Sequence, residues 1–91
     1  MSDDDPEVAD LEGTVAWSEL LAEATTRFER AGLESPAIDA RRIVEEVTGS
    51  EPSEFHRVLD TAATARGVAS FVRLVARREG GEPLPYVVGR W

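Results

Sequence analysis

Trp17-Ser18-Glu19-Leu20-Leu21-Ala22-Glu23-Ala24-Thr25-Thr26-Arg27-Phe28-Glu29-Arg30-Ala31-Gly32 is the stretch that decides the fold. Its apolar positions, Trp17, Leu20, Leu21, Ala24, Phe28 and Ala31, recur at intervals of three and four. That spacing gathers side chains on one face of an α-helix and scatters them over both faces of a strand. Thr14 stands where an N-cap is needed and Gly32 supplies a stop. A helix with one apolar stripe is stable only when the stripe is buried against another element, so the flanking sequence must supply partners.

Working outward, Ser35-Pro36 reads as an N-cap followed by proline in the first helical turn, with Asp39 suited to the positive helix end and Gly49 closing the segment. Ile38, Ile43, Val44 and Val47 form its expected stripe. A short helix is expected from Pro52 to Leu59, with Phe55, Val58 and Leu59 inward. Another begins at Thr61 or Thr64 and runs to Glu79, where Val68, Phe71, Val72 and Val75 repeat at i, i+3, i+4 and i+7. Gly67 lies inside it, at an expected cost of about 1 kcal/mol relative to alanine. After Gly80-Gly81, two prolines favour extended backbone, although Pro83 could also open one more helical turn before Tyr86-Val87-Val88.

The expected architecture is all-α: a small bundle of four to five helices with short connections, packed antiparallel or at steep angles, ending in an extended linker segment. Its core should comprise Trp17, Leu21, Phe28, Ile43, Val47, Phe55, Phe71 and Val75. Residues 1–13 read as an acidic flexible tail, 14–80 as the bundle, and 81–91 as an interdomain linker cut short before a catalytic domain that this chain lacks. Trp91 reads as an exposed stub.

Ninety-one residues suffice for one modest core, with a stability of about 5–14 kcal/mol on the usual per-residue scale. With no cysteine and one histidine, His56, disulfides, thiolate metal sites and a cysteine nucleophile are excluded and no metal site is expected. The formal net charge is −8, and six of the acids (Asp3, Asp4, Asp5, Glu7, Asp10, Glu12) fall in the first twelve residues with no base among them. The remaining acids nearly balance ten arginines, so the folded part is close to neutral. Direct nucleic-acid binding, which needs a clustered positive surface, is not expected. No apolar run reaches the roughly 20 residues that span a bilayer, and the acidic N-terminus is unlike a signal peptide, so the expected location is the cytoplasm.

Few residues offer chemistry. Glu45 and Glu46 are adjacent on a helix and point apart, as a solvated face would. His56 has no nucleophile or orienting acid at a recognisable spacing. Arg41-Arg42 has Glu45 and Glu46 one turn on and is expected to pair with them. Arg77-Arg78 either meets a partner or simply suits a helix C-terminus. Pro83, Tyr86 and Gly89 either cap this bundle or dock a following domain.

The run Arg77-Arg78-Glu79-Gly80-Gly81-Glu82-Pro83-Leu84-Pro85-Tyr86-Val87-Val88-Gly89 resembles the segment joining the N-terminal helical domain to the catalytic domain in the HemK/PrmC family. Ala31-Gly32-Leu33, Ser35-Pro36 with Asp39-Ala40-Arg41, and Val47-Thr48-Gly49 are similar to that family in the same order, so the resemblance covers residues 14–91. It implies the N-terminal, release-factor-binding domain of an S-adenosylmethionine-dependent enzyme that methylates the glutamine of class-I peptide release factors. The implied partners are the release factor and the enzyme's own catalytic domain, with Arg77, Arg78, Glu82, Pro83, Tyr86 and Gly89 as candidate contacts. No cofactor is implied for this chain, because S-adenosylmethionine belongs to the catalytic domain. The family's Asn-Pro-Pro-Tyr signature cannot occur in a chain without asparagine, so these residues alone are expected to be non-catalytic and monomeric. The alternative is a free-standing acidic helical interaction module, or an antitoxin-like nucleic-acid mimic, in which residues 1–12 would do the binding. A third reading, an independent small enzyme, lacks a catalytic set.

Overall fold

A computed structural model describes residues 15–89. The expectations for the acidic tail, for Thr14 as an N-cap and for Trp91 lie outside the described residues. Five α-helices follow one another: α1 (Trp17–Arg30), α2 (Pro36–Thr48), α3 (Phe55–Leu59), α4 (Ala65–Glu79) and α5 (Leu84–Val88), with a 3-10 turn at Pro52–Glu54 leading into α3. The described chain is all-α, as the periodicities required, and its only extended pairing is an isolated bridge between Ala16 and Ala62.

That bridge does the work of a side-chain cap. Ala16 occupies the N-cap of α1 and has no hydroxyl to offer. Instead the Trp17 N–H donates to the Thr61 carbonyl at 3.1 Å, and the Ala63 N–H donates to the Val15 carbonyl at 2.8 Å. A helix start left with free N–H groups must find acceptors somewhere, and here the strand-like segment before α4 supplies one. The N-cap of α4 follows the usual pattern, with Thr64 Oγ1 accepting from the Gly67 N–H at 3.0 Å. Ser35 does hold the N-cap position of α2, but its side chain makes no capping bond.

α1 packs on α2 and α4, α2 on α4, and α5 rests on both α2 and α4. Phe28, Ile43, Val44 and Val75 are fully buried at the centre, each contributing about 1.5–3 kcal/mol of apolar burial. Trp17 stands edge-on to Phe71, ring centres 5.7 Å apart, in the geometry that aromatic quadrupoles favour. Gly67 now has a reason to interrupt α4: a Cβ there would lie 3.0 Å from Trp17 Cζ2 and 3.2 Å from Thr64 Oγ1. The lost helix propensity makes room for the indole.

Two stripe assignments need correction. Ile38 is 59% exposed and Val72 49% exposed, whereas Leu74 is buried. At about 100° per residue, Ala40, Ile43, Val44 and Val47 define the inner face of α2, and Ile38 lies well off that face. In α4 the inner set is Phe71, Leu74 and Val75 with Val68 beside them, which turns Val72 outward. Leu21 and Val47, expected in the core, are partly buried at its margin. The final segment also departs from an extended linker: Pro83 is extended (φ −60°, ψ 144°), but Leu84–Val88 forms one helical turn. The turn is possible because Pro85 sits near its start, where a missing N–H costs nothing, and because Val87 has a core to enter.

Candidate functional site

The six candidate residues lie where α4 hands over to α5. Arg77 and Arg78 project in different directions from the last turn of α4, and each holds the segment that follows. The Arg77 Nε donates to Glu82 Oε1 at 3.0 Å and its Nη2 pairs with Glu82 Oε2. The same Nη2 donates to the Tyr86 carbonyl at 3.2 Å. Arg78 reaches inward: its Nε donates to Asp39 Oδ2 at 2.9 Å, and its Nη1 donates to the Glu82 carbonyl at 3.0 Å. Glu82 is thus held by its carboxylate and by its backbone at once.

The hydrogen bond to Arg77, reinforced by the guanidinium charge, holds the Glu82 carboxyl below the ordinary carboxylate range. The reciprocal bond raises the already high Arg77 pKa further. Arg78 and Asp39 form the more enclosed pair, with side chains 19% and 8% exposed. From sequence, Asp39 suits the positive end of the helix dipole. It sits in the first turn of α2 as expected, yet its partner is 39 residues further along.

Pro83 and Gly89 bracket α5. The Pro83 carbonyl accepts from the Tyr86 and Val87 N–H groups at 3.0 and 3.2 Å. Gly89 adopts the left-handed conformation (φ 73°, ψ 22°) and its N–H closes the turn on the Pro85 carbonyl at 2.8 Å, a helix ending that glycine makes without Cβ strain. Between these ends Val87 points into the core and Tyr86 outward, 57% exposed. Arg77, Arg78, Glu82 and Tyr86 are therefore joined in one clamp, with Arg78 turned towards the bundle and the Glu82 carboxylate on its outer side with Arg77, while Pro83 and Gly89 bound the turn that it holds.

The other polar candidates are elsewhere. Arg41 pairs with Glu45 at 3.0 Å, as expected, and its guanidinium also stacks 4.3 Å from the Phe55 ring centre. His56 is exposed on α3. Among the described residues no three histidine, aspartate or glutamate side chains converge as a metal would require. None of the helices described there is long and apolar enough to cross a membrane. Two features gave no sequence signal: the Arg27–Glu79 ion pair tying α1 to the end of α4, and a groove of about 300 Å³ between α2 and α5 lined by Ile38, Arg42, Glu45, Glu46, Leu84, Pro85 and Val88. Both join positions far apart in sequence, which periodicity does not pair.

Residues 19–89 match the family described as PrmC N-terminal domain. The chain belongs to that family. It is 39% identical over 70 residues to a release factor glutamine methyltransferase of Streptomyces coelicolor, an overlap that takes in 77% of this chain and 24% of the relative. A release factor glutamine methyltransferase of Corynebacterium glutamicum is 40% identical over 73 residues, covering 78% of this chain and 24% of its own length. A bifunctional methyltransferase of Rickettsia conorii is 31% identical over 72 residues, which are 14% of that protein. This PrmC N-terminal domain therefore spans about a quarter of the first two relatives. No solved structure matches it. The clamp residues all fall inside the matched stretch.

Proposed function

We propose that this PrmC N-terminal domain is the substrate-recognition part of an S-adenosylmethionine-dependent protein-(glutamine-N5) methyltransferase, binding a class-I peptide release factor and holding no cofactor of its own. The observation that carries the reading is the match over residues 19–89, together with relatives named release factor glutamine methyltransferase of which this chain corresponds to about a quarter. The chemistry of the fold agrees with it. A nucleotide-like cofactor is usually held by a glycine-rich turn between strand and helix, whereas the described chain is a helical bundle in which the Arg27–Glu79 and Asp39–Arg78 pairs tie helices together. On this reading the enzyme's catalytic domain is the second partner, the domain is monomeric, and the clamp orients the two parts of the enzyme.

The test is titration of the chain with a purified class-I release factor, read by calorimetry, with S-adenosylmethionine titrated separately. Saturable release-factor binding and no heat from the cofactor are expected. Heat from the cofactor, or no release-factor binding at high micromolar concentration, would overturn the reading. A chain lacking residues 1–12 should bind with unchanged affinity; loss of binding on that truncation would instead favour an acidic interaction module.

A further inference from the structure

We infer that the outward face of α4 is the surface on which the release factor docks, and that what it takes is an acidic amphipathic helix of that protein. The assignment rests on release-factor binding as proposed and adds to it a place and a chemistry.

The face follows from the register of α4. With Phe71, Leu74 and Val75 turned into the core, Ala65, Ala69, Val72 and Ala76 line up on the outside, all of them exposed. Their steps of four, three and four are those of alternating a and d positions in a coiled-coil seam. Val72 is the one large side chain among them, 49% exposed, and the alanines around it leave room for a second helix to approach closely. The seam runs for about three turns. α4 therefore carries two apolar faces, of which the bundle uses one.

The charges beside the seam decide which helix fits. Arg66 and Arg73 each directly follow a seam residue and stand seven positions apart, so they fall on one flank, about 10 Å from each other along the axis. Both are exposed, and among the described residues neither has a hydrogen-bond or ion-pair partner for its side chain. The other arginines of α4 are committed, Arg77 to Glu82 and Arg78 to Asp39. Its one acid, Glu79, is bonded to Arg27 of α1. Residues flanking such a seam select the partner by charge, and this flank is positive. A helix with carboxylates on the matching flank satisfies both guanidinium groups while its apolar stripe covers Val72. A second antiparallel copy of the same face would set arginine against arginine, and nucleic-acid phosphate would answer the arginines but leave the apolar seam wet.

The test is calorimetric titration of the class-I release factor into the 91-residue chain and into variants at exposed positions, with helicity and melting temperature as controls of the fold. Arg66→Glu combined with Arg73→Glu should weaken binding about ten-fold or more, because two attractions become repulsions. Ala69→Gln, an uncharged change that blocks the seam, should weaken it several-fold. Arg30→Glu combined with Arg57→Glu, the same change of charge made away from α4, should stay within about two-fold, since exposed charges act over little more than a Debye length. Wild-type binding that the α4 changes leave untouched would overturn this inference and leave the release-factor reading standing, whereas no wild-type binding would overturn both. Equal losses from the two arginine pairs, or a loss on arginine reversal with none from Ala69→Gln, would reduce the contact to charge alone and overturn the helix-docking assignment. A wild-type chain that sediments as a dimer and reverts to monomer on Arg66→Glu with Arg73→Glu would give the face to a second copy instead.

Discussion

Asp39 and Arg78 show how one residue pair joins distant parts of the sequence. Each alone looked like dipole chemistry: an acid in the first turn of α2 and a base in the last turn of α4, both favourable positions. Folding places them together, 2.9 Å apart and mostly enclosed. Nothing in the local pattern around Asp39 pointed to Arg78, because the juxtaposition depends on how α2 and α4 cross. A partner removed from an enclosed pair leaves the other charge without compensation, which costs about 3–5 kcal/mol when burial is complete. Since Arg78 retains some solvent contact, Arg78→Met should destabilise the domain by about 2–4 kcal/mol in urea denaturation, on the scale set by that figure. Adding Asp39→Leu should recover part of the loss, because the orphaned carboxylate is then gone. A double variant as unstable as Arg78→Met with Asp39 intact would show that the cost lies in the lost bond to the Glu82 carbonyl.

Among the elements, α5 is the one least able to form alone. Five residues cannot repay helix nucleation in water, so its turn depends on what holds it: Val87 in the core, the Pro83 carbonyl at its start, and Arg77 bonded to both Glu82 and the Tyr86 carbonyl. The long helices were legible because their apolar periods repeat over several turns. The conformation after Gly81 was not, since two prolines suit an extended chain and a first helical turn equally well, and the choice is made by tertiary contact. The clamp also sets a pH dependence. The folded-state pKa of Glu82 is lowered by Arg77, so the pair contributes stability above the unfolded carboxylate pKa of about 4.3. That contribution is lost as pH falls from there through the lower folded value. Glu82→Gln should accordingly lower stability at neutral pH and flatten its decline as pH falls below about 4.3, the ordinary carboxylate value, in thermal melts across a pH series. An unchanged slope would place the acid sensitivity in other carboxylates.

At the scale of the molecule, the bundle was legible from periodicity because a stripe tells how much apolar face each helix must bury, while it leaves the helix's rotation uncertain by a residue or two. Ile38 and Val72 mark that limit: each belongs to an apolar run, yet the inner faces that pack best are built from Ala40, Ile43 and Val44 on α2 and Phe71, Leu74 and Val75 on α4. The candidate site was legible as a composition, basic pair then Gly, Glu and Pro, but its internal bonding was not, because Arg78 turns towards α2. The rotation can be tested energetically. Phe28 is fully buried between α1 and its neighbours, and truncating such a ring costs about 3–5 kcal/mol, a large share of the roughly 5–14 kcal/mol that a domain of this size possesses. Phe28→Ala should therefore leave the chain close to its unfolding threshold. Val72→Ala, on the outer side of α4, removes little buried area and gains helix propensity, so its effect should stay within about 0.5 kcal/mol. Leu74→Ala, two residues further on, should cost about 2–4 kcal/mol as a core truncation. Urea denaturation with a common slope for all three variants would measure this contrast directly; equal losses at Val72 and Leu74 would mean that α4 is rotated from the position described.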